Sequence, residues 1–205
     1  MDASTPGLRE RKKLETRLAL ARAAMRLFEE RGYSATSIDD IAAAANVSRR
    51  TFFRYFSSKD EVFIVDPGGK LEALHVALAE GPAEEPTIEA LRRGIRALAT
   101  AYYDPELVRA EARLSDVEPT MAASALAYQV RWEEALAGEV AADLRVDIDS
   151  DPRPRIIAHA VVAILRAAVA TWLAAGAVGD PADEVVRTFD RSVPALEAVL
   201  AIPAA

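Results

Sequence analysis

Ser37-Ile38-Asp39-Asp40-Ile41-Ala42-Ala43-Ala44-Ala45-Asn46-Val47-Ser48-Arg49-Arg50-Thr51-Phe52-Phe53-Arg54-Tyr55-Phe56 decides how the rest of the chain is read. Ile38, Ile41, Ala42 and Ala45 recur at i, i+3, i+4 and i+7, the spacing of one helical face. Thr36 or Ser37 stands where a helix needs a short side-chain oxygen to satisfy a free backbone N–H. Asn46 belongs to the few non-glycine types that accept the left-handed backbone of a tight turn. Ser48 then caps a second helix, whose Phe52 and Phe56, four apart, share the inner face. The stretch therefore reads as two short helices joined by a tight turn.

Outward from it the chain reads helical throughout, with alanine, leucine, arginine and glutamate dominant and almost no strand-like alternation. A first helix is expected from about Glu10 to Glu30, with Leu14, Leu18, Ala21, Met25, Leu27 and Phe28 on its apolar stripe and Gly32 as its stop. Ser58 to Glu61 has the form of a capping box and predicts a fourth helix. Asp66-Pro67-Gly68-Gly69 should interrupt that helix almost at once, before the pattern resumes from Leu71 to Ala79. Further helices are predicted near Thr87–Tyr103, Pro105–Ser115, Pro119–Leu144, Pro152–Ala175 and Pro181–Leu200. Asp104-Pro105, Asp151-Pro152 and Asp180-Pro181 supply the cap and the proline expected at such starts. Pro194 should kink or split the last helix. The fold class is all-α.

The totals bound the function. Over 205 residues, 51% are apolar and 28% charged, a globular composition able to bury a core. There is no cysteine, so disulfides, thiolate metal sites and a cysteine nucleophile are excluded. His75 and His159 are the only histidines and stand too far apart in sequence for a zinc helix motif. No glycine-rich phosphate loop or G-x-S-x-G turn occurs. Asp147-Ile148-Asp149-Ser150-Asp151 imitates a calcium loop but places Pro152 where glycine is needed and Ala158 where glutamate is needed. No enzyme, metal or cofactor is expected. The longest apolar run, Ile156 to Val178, is broken by His159 and Arg166, so no membrane partner is expected, and a cytoplasmic protein is the consistent reading. The net charge of −7 hides an asymmetry: residues 1–60 hold 12 Lys and Arg against 8 Asp and Glu, the remainder 13 against 24. Only the N-terminal part suits a polyanion.

A tight helix pair whose second member opens Ser48-Arg49-Arg50-Thr51 fits the helix-turn-helix plan, in which that helix enters the DNA major groove. The run Gly32 to Ala42, then Ala45 to Phe56, then Ser58-Lys59-Asp60-Glu61 resembles the TetR-type regulators over about 30 residues in order. The resemblance implies a DNA-binding domain over 1–57 with a basic N-terminal arm, and a ligand-sensing and dimerisation domain over 58–205. It implies a homodimer formed by the last two long helices on a palindromic operator of double-stranded DNA, a small-molecule effector, and repression relieved when that effector binds. By residue, it implies that Arg49, Arg50, Thr51 and Phe53 face the base edges, where arginine grips guanine and threonine or phenylalanine packs on a thymine methyl. Ser37, Ser48, Tyr55, Lys59 and Arg17 would meet backbone phosphates. The family's fourth helix is normally one continuous rod, which Pro67-Gly68-Gly69 should break. The Val47–Phe56 wording is also similar to an actinobacterial branch with members that sense acyl-CoA thioesters, which makes an acyl-CoA-like effector an expectation.

In the acidic remainder, Arg92, Arg96 and Arg131 are candidates for the mouth of an anionic ligand site. Tyr103, Tyr128 and Trp132, with Tyr102 and Met121, are candidates for its apolar wall. His159 and Arg166, seven apart on one helical face, would meet a ligand's polar end or pair at a dimer seam. Ile164, Trp172, Phe189, Val193 and Leu196 are the candidate seam, because the penultimate helix is apolar on nearly all sides.

Overall fold

The structure is a computed structural model that describes residues 8–63, 76 and 85–201. Eight α-helices and no strand occur among the described residues: α1 (Leu8–Arg31), α2 (Ile38–Ala44), α3 (Arg49–Tyr55), α4 (Thr87–Tyr102), α5 (Pro105–Val117), α6 (Pro119–Leu144), α7 (Arg153–Ala174) and α8 (Pro181–Leu200). The chain is all-α, as expected. The helix break at Pro67-Gly68-Gly69 and the segment from Leu71 to Ala79 were read from sequence and lie outside the described residues, Val76 excepted.

Two compact units form, one holding the described N-terminal residues with Arg109–Ala125, the other the remaining described residues. The core of the first is Leu20, Ala24, Met25 and Phe28 of α1, Ile41 and Ala42 of α2, and Phe52 and Phe56 of α3, all at most 2% exposed. Asn46 has φ 55°, the left-handed value that its place in the turn required. Beyond α3 the segment opened by the capping box forms a 3-10 helix, Asp60–Phe63, and the rest of the predicted fourth helix lies outside the described residues. Glu61 N donates weakly to Ser58 Oγ at 3.4 Å, while the Glu61 carboxylate takes its hydrogen bond from Ser57 N at 2.7 Å. The reciprocal bond has thus slipped one residue.

The second unit packs α4, α6, α7 and α8 around Leu91, Ile95, Leu98, Leu136, Val140, Ile157, Val161, Leu165, Phe189 and Leu196. Asp104 and Asp180 act as the predicted caps, accepting from Leu107 N at 3.0 Å and Ala182 N at 2.9 Å. At Asp151 the register moves by one: Pro152 is the half-in residue, and the carboxylate accepts from Arg153 N at 2.9 Å and pairs with the Arg153 guanidinium at 2.6 Å. That guanidinium holds the Asp151 carboxyl below its ordinary value. Pro194 does not split α8, which runs uninterrupted from Pro181 to Leu200. By length and composition α7 could cross a membrane. It buries Ile157, Val161, Leu165 and Ala168 in this core, and core helices meet the same criterion.

Four of the five residues expected at the dimer seam lie inside the subunit instead. Trp172, Phe189, Val193 and Leu196 are 4%, 1%, 7% and 2% exposed, buried by the chain's own helices, so they offer no surface to a partner. The Trp172 indole N–H donates to Val178 O at 3.1 Å and Gly179 O at 3.3 Å, which ties it to the α7–α8 turn. Of the five, Ile164 alone keeps partial exposure.

Candidate nucleic-acid interface

The helix-turn-helix is held by local chemistry that the sequence dictates. Ser37 Oγ accepts from Asp40 N at 3.1 Å, and Ser37 N donates to the Asp40 carboxylate at 2.9 Å, a full capping box. Those bonds from Ser37 hold the Asp40 carboxyl below its ordinary value. Ser37 was expected to meet phosphate. Instead its hydroxyl and its N–H are both spent on Asp40, whose charge would repel a phosphate. Ser48 caps α3 by accepting from Thr51 N at 3.1 Å, and its hydroxyl lies 2.9 Å from Thr51 Oγ1.

On α3 the buried Phe52 supports the outward side. The Phe53 ring stands edge-on to Phe52, 5.5 Å between centroids at 84°, and remains 46% exposed. The Arg49 guanidinium lies 5.3 Å over Phe53, and its Nη1 donates to Asp39 Oδ2 of α2 at 2.7 Å. Arg50 is exposed on the following position. Arg49, Arg50, Thr51 and Phe53 thus come together at the start of α3, with Thr51 half-buried.

Three residues expected at phosphates also make contacts within the unit. Arg17 lies 5.1 Å over the Phe56 ring and packs α1 on the end of α3. Tyr55 is half-buried beneath Arg54, whose guanidinium is 5.0 Å from the ring. Lys59 Nζ donates to Tyr33 O at 2.6 Å and to Thr36 O at 2.8 Å, which leaves one N–H for DNA. Sequence reading missed the Asp39–Arg49 pair, because residues ten apart on different helices carry no local spacing rule.

In the second unit two of the three arginines expected at the ligand mouth are ion-paired. Arg92 donates to Asp190 at 2.8 Å and also pairs with Glu89, and Arg96 reaches Asp190 at 3.4 Å. Those carboxylates raise the Arg92 pKa. Arg166 donates to Gln129 Oε1 at 3.0 Å, Gln129 donates to Glu133 at 2.8 Å, and His159 Nε2 lies 3.5 Å from Glu133. His159 and Arg166 therefore bind α7 to α6. Tyr103 and Tyr128 are half-buried against the core that holds Trp132, while Arg131 is exposed. The Trp132 indole nitrogen is buried with no hydrogen-bond partner among the described residues. Met121 belongs to the other unit, and the Tyr102 side chain lies outside the described residues. A cleft of about 770 Å³ is lined by Arg96, Thr100, Val186, Arg187, Asp190 and Arg191, with Asp183. Among the candidate ligand residues it includes Arg96 and no other.

A capped helix pair that presents two arginines and an aromatic ring at the start of its second helix defines a helix-turn-helix DNA-binding protein. Residues 20–65 match the bacterial regulatory proteins of the tetR family, and residues 85–201 match the MftR C-terminal domain. The chain belongs to the TetR family of transcriptional regulators. It is 37% identical over 174 residues to the HTH-type transcriptional regulator TcmR of Streptomyces glaucescens, covering 82% of this chain and 77% of TcmR. It is 42% identical over 96 residues to the HTH-type transcriptional repressor Rv3405c of Mycobacterium tuberculosis, 44% of this chain and 48% of that one. Among solved structures, the TetR-family repressor FadR of Thermus thermophilus in complex with lauroyl-CoA matches with a TM-score of 0.52 and 26% identity, covering 88% of this chain and 94% of FadR.

Proposed function

We propose that this regulator is a cytoplasmic repressor that binds a palindromic operator as a homodimer and leaves it when a small-molecule effector with an acyl chain enters the second unit. Arg49, Arg50 and Phe53 read base edges, with Thr51 beside them. Ser48, Tyr55 and the remaining N–H of Lys59 serve the phosphates. Two-fold symmetry follows from the need to place two recognition helices about 34 Å, or a multiple, apart. The partner meets the outward side of α7, where Ile156, Ala163, Arg166, Ala167, Ala170 and Ala174 are exposed, small enough in the main for two helices to approach closely.

The observation that carries the effector reading is the Trp132 indole N–H. A buried donor with no partner among the described residues costs about 1–3 kcal/mol, a cost that an incoming acceptor removes. With Arg92 and Arg96 already neutralised, the effector is held by apolar contact and one accepted hydrogen bond, as an acyl carbonyl provides. FadR of Thermus thermophilus, bound to lauroyl-CoA, supports an acyl ligand. By reciprocity, an effector that prefers a DNA-incompetent conformation weakens DNA binding by the factor by which DNA weakens effector binding. The test is a melting series with lauroyl-CoA and lauric acid on the wild-type chain and on Trp132→Phe. A rise in melting temperature in the wild type, lost in the variant, is expected. No rise with either ligand overturns the acyl reading.

A further inference from the structure

Arg49 and Arg50 are neighbours of the same type, yet the structure treats them differently. Arg49 is held from two sides: its guanidinium lies 5.3 Å over the Phe53 ring, and its Nη1 donates to the Asp39 carboxylate of α2 at 2.7 Å. Phe53 is itself fixed edge-on against the fully buried Phe52. Arg50 is exposed, and among the described residues no such support reaches it. Both ends of the Asp39–Arg49 pair are more than half exposed, at 65% and 56%. Asp39 lies in the first turn of α2, where an acidic side chain suits the helix N-terminus, but that role needs no partner, and exposed pairs of this kind contribute little to stability. A carboxylate there also repels the DNA backbone, and so lowers attraction to every sequence alike.

We infer that Asp39 is a specificity-determining positioning residue, which fixes Arg49 over Phe53 so that Arg49 reads one guanine of the operator. The inference rests on Arg49 being a base reader. Arginine carries five N–H donors in a rigid fork. With Nη1 committed to Asp39, the Nε–Nη2 edge remains, and its two parallel N–H groups match O6 and N7 of guanine. Freed from Asp39, the same guanidinium can turn to a phosphate, which exchanges a sequence-reading contact for a sequence-blind one. Asp39 thus acts on selectivity twice: it aims the reader, and it penalises contact with DNA that lacks the matching base.

The experiment uses the full chain and a duplex selected by the wild-type protein from a random library. Binding is measured to that duplex, to the same duplex with the Arg49-dependent guanine replaced by adenine, and to an unrelated duplex. Arg49→Ala identifies that guanine as the base whose replacement no longer matters. Asp39→Asn is expected to cut discrimination between guanine and adenine by roughly fivefold or more, and to raise affinity for the unrelated duplex. In the Arg49→Ala background the same substitution should leave discrimination unchanged. Asp39→Glu, which keeps the charge, should retain discrimination above that of Asp39→Asn. An equal change of affinity for all three duplexes, or an Asp39→Asn effect that persists without Arg49, overturns the inference. A wild-type chain that selects no duplex overturns the base-reading role of Arg49 on which it stands.

Discussion

Lys59 is fastened to Tyr33: its ammonium lies 4.0 Å over the tyrosine ring while donating to the Tyr33 carbonyl at 2.6 Å. With the second bond to Thr36 O at 2.8 Å, it closes the loop before α2 onto the segment after α3. Tyr33 in turn packs on Phe28 of α1, 5.3 Å between centroids. One side chain therefore links all three helices of the DNA-binding unit. Lys59→Met keeps most of the stem and removes the charge. It should destabilise the protein by about 1.5–3 kcal/mol, the range for hydrogen bonds to a charged group, measured by chemical denaturation. A change below about 0.5 kcal/mol would show that the carbonyls are satisfied by water.

Base reading and phosphate contact separate in their salt dependence. Arg49→Ala should cost about 1–3 kcal/mol on the selected operator and little on unrelated DNA. Titrations at several salt concentrations provide the check, because losing a phosphate contact lowers the salt slope by about one for either duplex.

The burial of Phe189 and the exposure of Ala167 make opposite expectations for assembly. Phe189→Ala opens a core cavity and should cost about 3–5 kcal/mol in stability, with the subunit interface surface unaltered. Ala167→Glu sets like charges on the outward side of α7 and should shift sedimentation from dimer to monomer with little change in each chain's secondary structure. Dimers that persist in Ala167→Glu would place the interface elsewhere.

Asp151 gives a pH signature. Its carboxyl is held below the ordinary value of 3.8 by hydrogen bonding to Arg153. A depressed folded-state pKa stabilises above the unfolded value, and that contribution is lost as pH falls through the folded one. Asp151→Asn should therefore melt below the wild type at pH 7, and the gap should narrow as pH falls below about 3.8. A gap constant across that range would exclude the ionised pair as its source.

What could be read from sequence was local. Asp104, Asp180 and Ser48 announce their helices because a cap is satisfied within three residues, and Asn46 announces its turn through backbone geometry. Periodicity also revealed that Trp172, Phe189, Val193 and Leu196 are buried, but it does not say by whom. The chain's own helices cover them, where a partner was expected. Arg92 and Arg96 share Asp190, which lies on the last helix, far beyond any spacing rule, although the Arg92–Glu89 pair follows the i, i+3 spacing of one helix. Ser37 was assigned to phosphate by resemblance, while Asp40 occupies it, and the Tyr33 and Thr36 carbonyls take two of the three Lys59 donors. Side-chain competition of this kind becomes visible only in three dimensions.

In the dimer we propose, a pair of α3 helices reads a two-fold symmetric site through Arg49. Selection from random duplexes with the full chain, followed by sequencing of the enriched pool, tests it most directly. The expected result is an inverted repeat whose half-sites are centred about 10 base pairs, or a multiple, apart, with a guanine in each half that Arg49→Ala no longer requires. An enriched site without inverted symmetry, or a pool with no enriched sequence, would contradict it.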